Sequence, residues 1–230
     1  MRSAEVIILA GGRGTRLRSV VAEVPKPLAQ VAGRPFLAYL LDFYAAAGFR
    51  RAILSTGYLA GAISDFAGTR WQGMEVLCAG EPEPLGTGGA VKFAASHLLG
   101  DSAFVANGDT WLAYSPAELR DQTLAADAWL GVALANVVDV SRYGAVRLDG
   151  GKVASFDEKG RVGPGWINGG IYYLTASALD EMPAQDSFSF ETELLRPMVA
   201  AGRVIGYGDT GEFIDIGVPE DYFKAQAQFA

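Results

Sequence analysis

Cysteine and histidine are nearly absent from this sequence of 230 residues, which contains one of each, Cys78 and His97. One cysteine can form neither an internal disulfide nor a zinc site built from several cysteines. His97 lies late in a predicted helix and belongs to no motif. We therefore expect neither a histidine-dependent catalytic triad nor a histidine metal site.

The sequence also has no apolar run of about 18 residues, the length that a membrane-spanning helix needs. Its first residues lack the basic and then apolar layout of a secretory signal. The formal net charge of −7 disfavours nucleic acid as a partner, because binding to a phosphate backbone requires positive surfaces. We expect a cytoplasmic protein without a membrane or nucleic-acid partner.

Glycine, in contrast, is abundant, and the first glycine-rich segment, residues 9–17 (LAGGRGTRL), directly follows the apolar residues 6–9. The apolar run predicts a short buried strand. Glycines after a strand let the backbone turn sharply and approach a ligand, and the N-terminus of a following helix attracts anions. Arg13 and Arg16 add positive charge suited to phosphate oxygens. The segment predicts a phosphate-binding loop.

The spacing separates this segment from two other phosphate-binding loops. No Gly-Lys-Ser/Thr follows it, which excludes the P-loop pattern, and the third glycine of a dinucleotide-binding loop would fall at Leu17. Downstream, Pro25 and Pro27 hold Lys26 in an extended backbone, which lowers the entropy lost when its ammonium group binds a ligand. A solvated lysine in a rigid surface turn is the structural alternative.

Predicted strands alternate with helices over the first half of the chain. The strands are 51–55, 74–78 and 104–106, and the helices are 36–47 and 59–66. Right-handed crossovers between such strands give a mainly parallel sheet covered by helices on both faces.

Beyond about residue 128 the pattern changes to hairpins. Two short strands, 146–148 and 153–156, flank a glycine turn and predict an antiparallel pair. A helix over residues 219–229 closes the chain. Because no linker composition separates the two parts, we expect a single domain.

The glycine-rich segment followed by Pro25-Lys26-Pro27 resembles the signature of the sugar-1-phosphate nucleotidyltransferases, and the resemblance extends over nearly the whole chain. It implies a Rossmann-like α/β fold of the GT-A type with a small antiparallel sugar-binding lobe. The single domain, residues 1–230, would comprise a nucleotide-binding half at about 1–127 and a sugar-phosphate-binding half at about 128–230.

A second glycine-rich segment, residues 81–90 (EPEPLGTGGA), precedes another predicted helix. A strand-to-helix loop capped by Thr87 is its structural interpretation. In the family this segment surrounds the nucleobase, and the Glu81 carboxylate suits the two donors of guanine, N1–H and the exocyclic amine. The resemblance implies nucleotide contacts at Leu9, Ala10, Gly11, Gly12, Gly14, Thr15, Arg16, Lys26, Glu81, Gly86, Thr87 and Gly88.

Two aspartates complete the predicted catalytic centre. Asp109 follows the strand at 104–106, and ligands of open α/β sheets bind at the carboxyl ends of strands. Asp215 stands between Ile214 and Ile216, where a buried carboxylate needs a charged partner or a metal. In the family these two positions hold the divalent metal. Mg²⁺ is the expected cofactor, because it prefers carboxylate, phosphate and water oxygens.

Three motifs in the second half resemble segments with which the family binds its acceptor. Residues 156–159 (FDEK) match F-x-E-K, residues 168–172 (NGGIY) match N-x-G-I-Y, and residues 189–193 begin a helix. Solvated turns and a serine cap are the structural alternatives. The implied sugar-phosphate contacts are Asn107, Gly144, Glu158, Lys159, Asn168, Gly169 and Glu191. The implied catalytic residues are Arg16, Lys26, Asp109 and Lys159.

The expected reaction is transfer of a nucleoside monophosphate from a nucleoside triphosphate to a sugar 1-phosphate, with release of pyrophosphate. Residues 14–21 and 213–222 most resemble guanylyltransferases acting on D-glycero-α-D-manno-heptose 1-phosphate, whose product is GDP-heptose. A uridylyl- or thymidylyltransferase for another sugar phosphate, such as an N-acetylmuramate or hexose phosphate, is one alternative. A non-catalytic nucleotide-binding regulatory subunit is another, although it would be expected to have lost one of the charged motifs. A possible homodimer would add a second copy of the chain as partner.

Overall fold

The computed structural model describes residues 4–12, 17, 20–21, 24–57, 59–157 and 159–230. In these ranges no helix is both long and apolar enough to span a bilayer. The strands are β1 (Glu5–Leu9), β2 (Gln30–Val31), β3 (Arg34–Pro35), β4 (Arg51–Thr56), β5 (Arg70–Trp71), β6 (Met74–Gly80), β7 (Ala103–Asn107), β8 (Thr110–Tyr114), β9 (Leu130–Val137), β10 (Val146–Asp149), β11 (Lys152–Phe156), β12 (Gly165–Leu174), β13 (Val204–Tyr207) and β14 (Thr210–Asp215). The helices are α1 (Phe36–Ala46), α2 (Ala60–Ala67), α3 (Gly86–Ala95), α4 (Pro116–Ala125), α5 (Ala176–Asp180), α6 (Arg196–Ala200) and α7 (Pro219–Gln228), with a 3₁₀ turn at Lys26–Leu28 and a π-helical turn at Phe190–Leu195.

Strand β1 is buried on both faces, which explains the apolar run over residues 6–9. Val6 and Ile8 point into a core that also contains side chains of α1, α2, α4 and α7. Ile7, on the opposite face, points into a second core with side chains of α3, α6 and the π-helical turn. The alternation of side chains along one strand therefore places helices on both faces of the sheet.

Ten strands form one sheet in the order β10-β11-β13-β9-β12-β7-β1-β4-β6-β5. Strands β7, β1, β4 and β6 are parallel neighbours, as predicted for the first half. Strand β12 lies antiparallel between β7 and β9, and the predicted hairpin β10–β11 extends the sheet beyond β13. The antiparallel strands of the second half thus continue the same sheet.

The strand order changes direction at β1. From β1 the chain proceeds outward to β4 and β6, and it then returns through α3 to place β7 on the other side of β1. A crevice opens at such a switch point, outside the carboxyl ends of the strands, and this is where ligands bind in open α/β sheets. We therefore expect the ligand site of this fold at the residues that follow β1 and β7.

The glycines of the second glycine-rich segment lie within α3 and pack closely against the second half of the chain. A Cβ atom at Gly89 would lie 2.0 Å from the carbonyl oxygen of Asp186, and one at Gly88 would lie 2.2 Å from the Phe188 ring. The Thr87 hydroxyl accepts a hydrogen bond from the amide of Phe190 at 3.0 Å, and α3 has no side-chain cap. The interpretation of Thr87 as a helix cap was therefore wrong.

The serine cap predicted for the helix at 189–193 is confirmed. The Ser189 side chain accepts a hydrogen bond from the amide of Thr192 at 3.2 Å, at the start of the π-helical turn. The contacts of this segment with α3 come directly before the π-helical turn. The Ser189 cap therefore fixes the direction of the turn relative to α3.

Two glycine-to-alanine substitutions in helices should have opposite effects on stability. Gly89→Ala should lower the free energy of unfolding by about 2–3 kcal/mol, because the new methyl group would collide with backbone. Gly61→Ala in α2 has no other atom within 4 Å of the new Cβ and should raise stability by about 0.5–1 kcal/mol. Urea unfolding measures both, and equal effects would contradict the close packing at α3.

Candidate active site

Three charged groups meet in the crevice at the carboxyl ends of β1 and β7. The Lys26 ammonium donates a hydrogen bond to Asp109 Oδ2 and lies 3.9 Å from Asp215 Oδ1. The Lys26 side chain is 11% exposed, and the two carboxylates are 32% and 25% exposed. A lysine that is mostly buried beside two carboxylates is held by charge, so the solvated alternative for Lys26 does not apply.

Backbone pairing brings the two aspartates together. Strands β8 and β14 form a separate antiparallel pair in which Asp215 lies opposite Thr110. The amide of Ile216 donates to the carbonyl oxygen of Asp109 at 2.9 Å. On the other side, the amide of Gly108 donates to the carbonyl oxygen of Leu9 at 2.9 Å, which fixes the turn against the end of β1.

The position of Asp215 corrects part of the sequence reasoning. Ile214 and Ile216 are buried in the core, whereas Asp215 points to the opposite face of its strand, so ordinary strand alternation does explain the isoleucine flanks. The expected charged partner is present in Lys26. Burial, followed by the neighbouring charge of Asp109, raises the pKa of Asp215, and the Lys26 charge opposes this rise.

The residues available to hold a divalent cation here are Asp109 and Asp215. Among the described residues no group of three or more histidine, cysteine, aspartate or glutamate side chains forms a metal cluster. A cation between two carboxylates would have to complete its coordination with water and substrate oxygens. Mg²⁺ tolerates such a site, because it commonly keeps several waters and binds substrate phosphates.

A cavity of 460 Å³ lies between the first glycine-rich segment and residues 81–90. Its acidic wall is Glu81, whose Oε1 accepts a hydrogen bond from the Ser55 hydroxyl at 3.1 Å and whose Oε2 accepts one from the Leu85 amide at 3.2 Å. The sequence reasoning missed Ser55, which is fully buried at the end of β4. The cavity is lined by Leu9, Gly11, Gly12, Gly57, Glu81, Pro82, Glu83, Pro84, Gly86, Thr87 and Ala90.

The twelve predicted nucleotide contacts divide into four groups by their placement, one of which is Lys26 alone, in the charge cluster. Six of them line the cavity, namely Leu9, Gly11, Gly12, Glu81, Gly86 and Thr87. Ala10 is buried, and its amide donates to the carbonyl oxygen of Ser55. The amide of Gly88 donates to the carbonyl oxygen of Phe188. Gly88 makes room for the Phe188 ring and does not line the cavity, so a nucleotide contact at Gly88 stays a prediction. Gly14, Thr15 and Arg16 lie outside the described residues, as do Arg13 and Arg18.

The predicted acceptor residues around β12 form an internal network. Asn168 donates to the Tyr172 hydroxyl at 2.8 Å and accepts from the Gly170 amide at 2.9 Å, at a bulge in β12. A Cβ atom at Gly170 would lie 2.5 Å from Nδ2 of Asn107, so this glycine makes room for Asn107. Gly169 packs on the backbone of β9 in the same way. Bulges of this kind redirect side chains beside active sites.

The remaining acceptor residues lie at the surface or in turns. Lys159 is exposed in the turn after β11, and Gly144 is buried in a turn with φ +87°. Glu191 is half exposed and pairs with Arg196 at 3.4 Å. Glu158 lies outside the described residues. Sugar contacts at these positions stay predictions.

Comparison with known proteins gives consistent matches along the chain. A family model described as nucleotidyl transferase matches residues 5–230. The chain is 38% identical to D-glycero-alpha-D-manno-heptose 1-phosphate guanylyltransferase of Aneurinibacillus thermoaerophilus, a match covering 97% of both proteins. It is 36% identical to the protein of the same name from Campylobacter jejuni, over 95% of this chain and 97% of that one.

Solved structures agree with these matches. HddC from Yersinia pseudotuberculosis complexed with GMP-PN superposes with a TM-score of 0.88 at 38% identity, over 99% of this chain and 100% of that one. A putative glucose-1-phosphate thymidylyltransferase from Bacillus anthracis has a TM-score of 0.86 at 19% identity, over 98% and 95% of the two chains, and this similarity shows the fold alone.

The raised pKa of Asp215 predicts how stability depends on pH without metal. Its ionised form is less favourable in the folded protein than in the unfolded chain, so the penalty is complete above the folded pKa and vanishes below the ordinary value of 3.8. In EDTA, Asp215→Asn should therefore be more stable than the parent at pH values above the folded pKa, and the difference should shrink as the pH falls through the folded pKa toward 3.8. Urea unfolding at several pH values measures it.

Asp139→Asn is a control in which the change in folding stability should have the opposite sign to that of Asp215→Asn. Hydrogen bonds from Ser141 and from the Gly163 amide lower the pKa of Asp139, so its ionised form stabilises the folded state. This variant should be less stable than the parent at about pH 8, with the loss disappearing as the pH falls through the folded pKa. The same sign for both variants would show that the charge environment of Asp215 is misassigned.

Proposed function

This chain belongs to the nucleotidyl transferase family, and we propose that it transfers GMP from GTP to D-glycero-α-D-manno-heptose 1-phosphate, with Mg²⁺ as cofactor. The products are GDP-heptose and pyrophosphate. The observation that carries the proposal is the cluster of Lys26, Asp109 and Asp215 beside a cavity with one oriented carboxylate. The two near-full-length relatives at 38% and 36% identity support the choice of substrates.

The reaction asks little covalent chemistry of the protein. A phosphate oxygen of the sugar 1-phosphate forms a bond to the α-phosphorus of GTP, and the bond from that phosphorus to the bridging oxygen breaks. The electron pair leaves with pyrophosphate. Because the attacking phosphate is already ionised at neutral pH, no general base is needed, which fits a chain with a single histidine. The rate then depends on positioning and on compensation of negative charge.

Charge compensation is assigned to residues at the carboxyl ends of β1 and β7. Lys26 offsets charge on the α-phosphate and pyrophosphate from a mostly buried position, where an ammonium group acts more strongly than in water. Asp109 and Asp215 would hold Mg²⁺, which supplies further positive charge at the phosphates when bound. Lys159 is proposed to bind the acceptor phosphate, and Arg16 to contact the nucleotide phosphates.

The preference for guanine rests on Glu81. Each oxygen of its carboxylate already accepts one hydrogen bond, from Ser55 and from Leu85, and keeps a second lone pair. A carboxylate oriented in this way can accept both N1–H and the exocyclic amine of guanine. Uracil and thymine offer one N3–H donor, so they would leave one acceptor unpaired, and an unpaired buried acceptor lowers affinity. The use of GTP also favours a cytoplasmic location. A homodimer stays a prediction.

Pyrophosphate release with matched substrate panels tests the proposal. The purified protein is incubated with Mg²⁺, one nucleoside triphosphate and one sugar 1-phosphate at a time, including heptose, mannose, glucose and N-acetylmuramate phosphates. We expect release with GTP and the heptose phosphate. Release with UTP or dTTP and another sugar would retain the mechanism and overturn the substrates. Release with no pair would favour a non-catalytic nucleotide-binding subunit.

Removing one member of the charge cluster should abolish most of the activity. Lys26→Ala, Asp109→Ala and Asp215→Ala should each lower kcat/KM by about 10²-fold or more, the usual effect of removing a main electrostatic stabiliser. Asp186→Ala is the matched control, because it removes a carboxylate that is 90% exposed and pairs with Lys92, outside the cluster. Near-normal turnover in any of the three variants would refute the role of that residue.

A further inference from the structure

Two turns beside the active site form one unit, which we call the acceptor turns and define as residues 139–144 and 159–163. The amide of Gly160 donates to the carbonyl oxygen of Ser141 at 2.9 Å, and the amide of Val140 donates to the carbonyl oxygen of Gly163 at 3.0 Å. The amide of Gly163 in turn donates to the Asp139 carboxylate at 3.2 Å. These three bonds cross from one turn to the other, so the two turns should move together.

The acceptor turns carry two of the predicted sugar-phosphate contacts, Gly144 and Lys159. Asp215 of the charge cluster lies on a different segment, where β14 ends at Asp215 and α7 begins at Pro219. For the acceptor phosphate to reach the α-phosphorus, these two segments must be held at a fixed separation. Displacements of about 1 Å in such a geometry can lower the rate by about 10²-fold.

One ion pair joins the two segments. The Arg142 guanidinium donates to Oδ2 of Asp221, which lies in the first turn of α7, six positions after Asp215. The Asp221 side chain is 9% exposed, and the Tyr143 hydroxyl donates to the same oxygen at 3.3 Å. The Tyr143 ring also packs edge-on against Phe213 of β14. These three contacts of the first acceptor turn are therefore directed at the segment that carries Asp215.

The ion pair has properties that suit a positioning role. One nitrogen of the Arg142 guanidinium fork donates to both Asp221 and the Tyr143 hydroxyl. Charge-assisted bonds of a planar guanidinium are directional, and a carboxylate that is nine-tenths buried tolerates few alternative positions. Lys224 also contacts Asp221, at 3.2 Å, but its hydrogen bonds, to Glu220 and Asp221, stay within α7. Removing Arg142 would thus remove the ion pair between the first acceptor turn and α7, whereas removing Lys224 would change the charge at Asp221 and keep that ion pair.

We propose that Arg142 and Asp221 are positioning residues that hold the acceptor turns, and with them Lys159, against the segment carrying Asp215. This inference rests on the proposed function of the site. Neither residue lines the 460 Å³ cavity assigned to the base. The pair therefore acts on the binding and approach of the sugar phosphate and leaves the binding of GTP unchanged.

The test compares steady-state kinetics of Arg142→Met, Arg142→Lys and Lys224→Met. In Arg142→Met the KM for the sugar phosphate should rise about 10-fold or more while that for GTP stays within about twofold, because orientation is lost on the acceptor side alone. Arg142→Lys should restore part of the loss, since it keeps the charge but lacks the fork. Lys224→Met should resemble the parent. Equal changes in both KM values, or the same loss in Lys224→Met, would overturn the proposal.

Hydrogen exchange gives a second readout that needs no substrate. Amides in both acceptor turns should exchange faster in Arg142→Met than in the parent protein, and those of Lys224→Met should not. Unchanged exchange in both turns would refute the connection even if the kinetics were altered. If the parent protein uses no sugar phosphate of the panel, the proposed function fails on that result alone, and the exchange experiment still decides whether the ion pair holds the turns.

Discussion

The cluster of Lys26, Asp109 and Asp215 is the constraint on which the rest of the site depends. Two carboxylates that share a partly buried space repel each other, and the raised pKa of Asp215 expresses this repulsion together with burial. Lys26 lies between them and offsets part of the unfavourable charge. The protein thus maintains a charge arrangement that is unfavourable for folding but suited to binding cations and phosphates, as functional sites commonly do.

Much of the fold could be predicted because its signals are local. The four-residue apolar run before the first glycines identified β1, and helix and strand periodicity located α1, β4, α2, β6 and β7 to within about two residues. The carboxyl ends of parallel strands meet at one edge of a sheet, so Leu9 and Asp109 could be placed together from topology alone. The pairing of Asp109 with Lys26 required the additional resemblance to a family signature.

What could not be predicted depends on contacts between distant parts of the chain. The close packing of Gly89 on Asp186 was invisible, because a glycine that makes room for a ligand and one that makes room for backbone look the same in a sequence. The buried Ser55 that orients Glu81 carries no motif. The partner of Arg142 is 79 positions away, and an isolated arginine before a tyrosine gives no signal of its own.

The residues that we propose to contact the substrates lie apart from the charge cluster. Glu81 and its hydrogen-bond partners lie at the ends of β4 and β6, whereas the acceptor turns belong to the loops around the β10–β11 hairpin. Backbone hydrogen bonds from Gly108 to Leu9 and from Ile216 to Asp109 hold the charge cluster at the carboxyl end of β1. Loops can therefore vary in sequence while the cluster stays in place, because the sheet and not the loops determines its geometry.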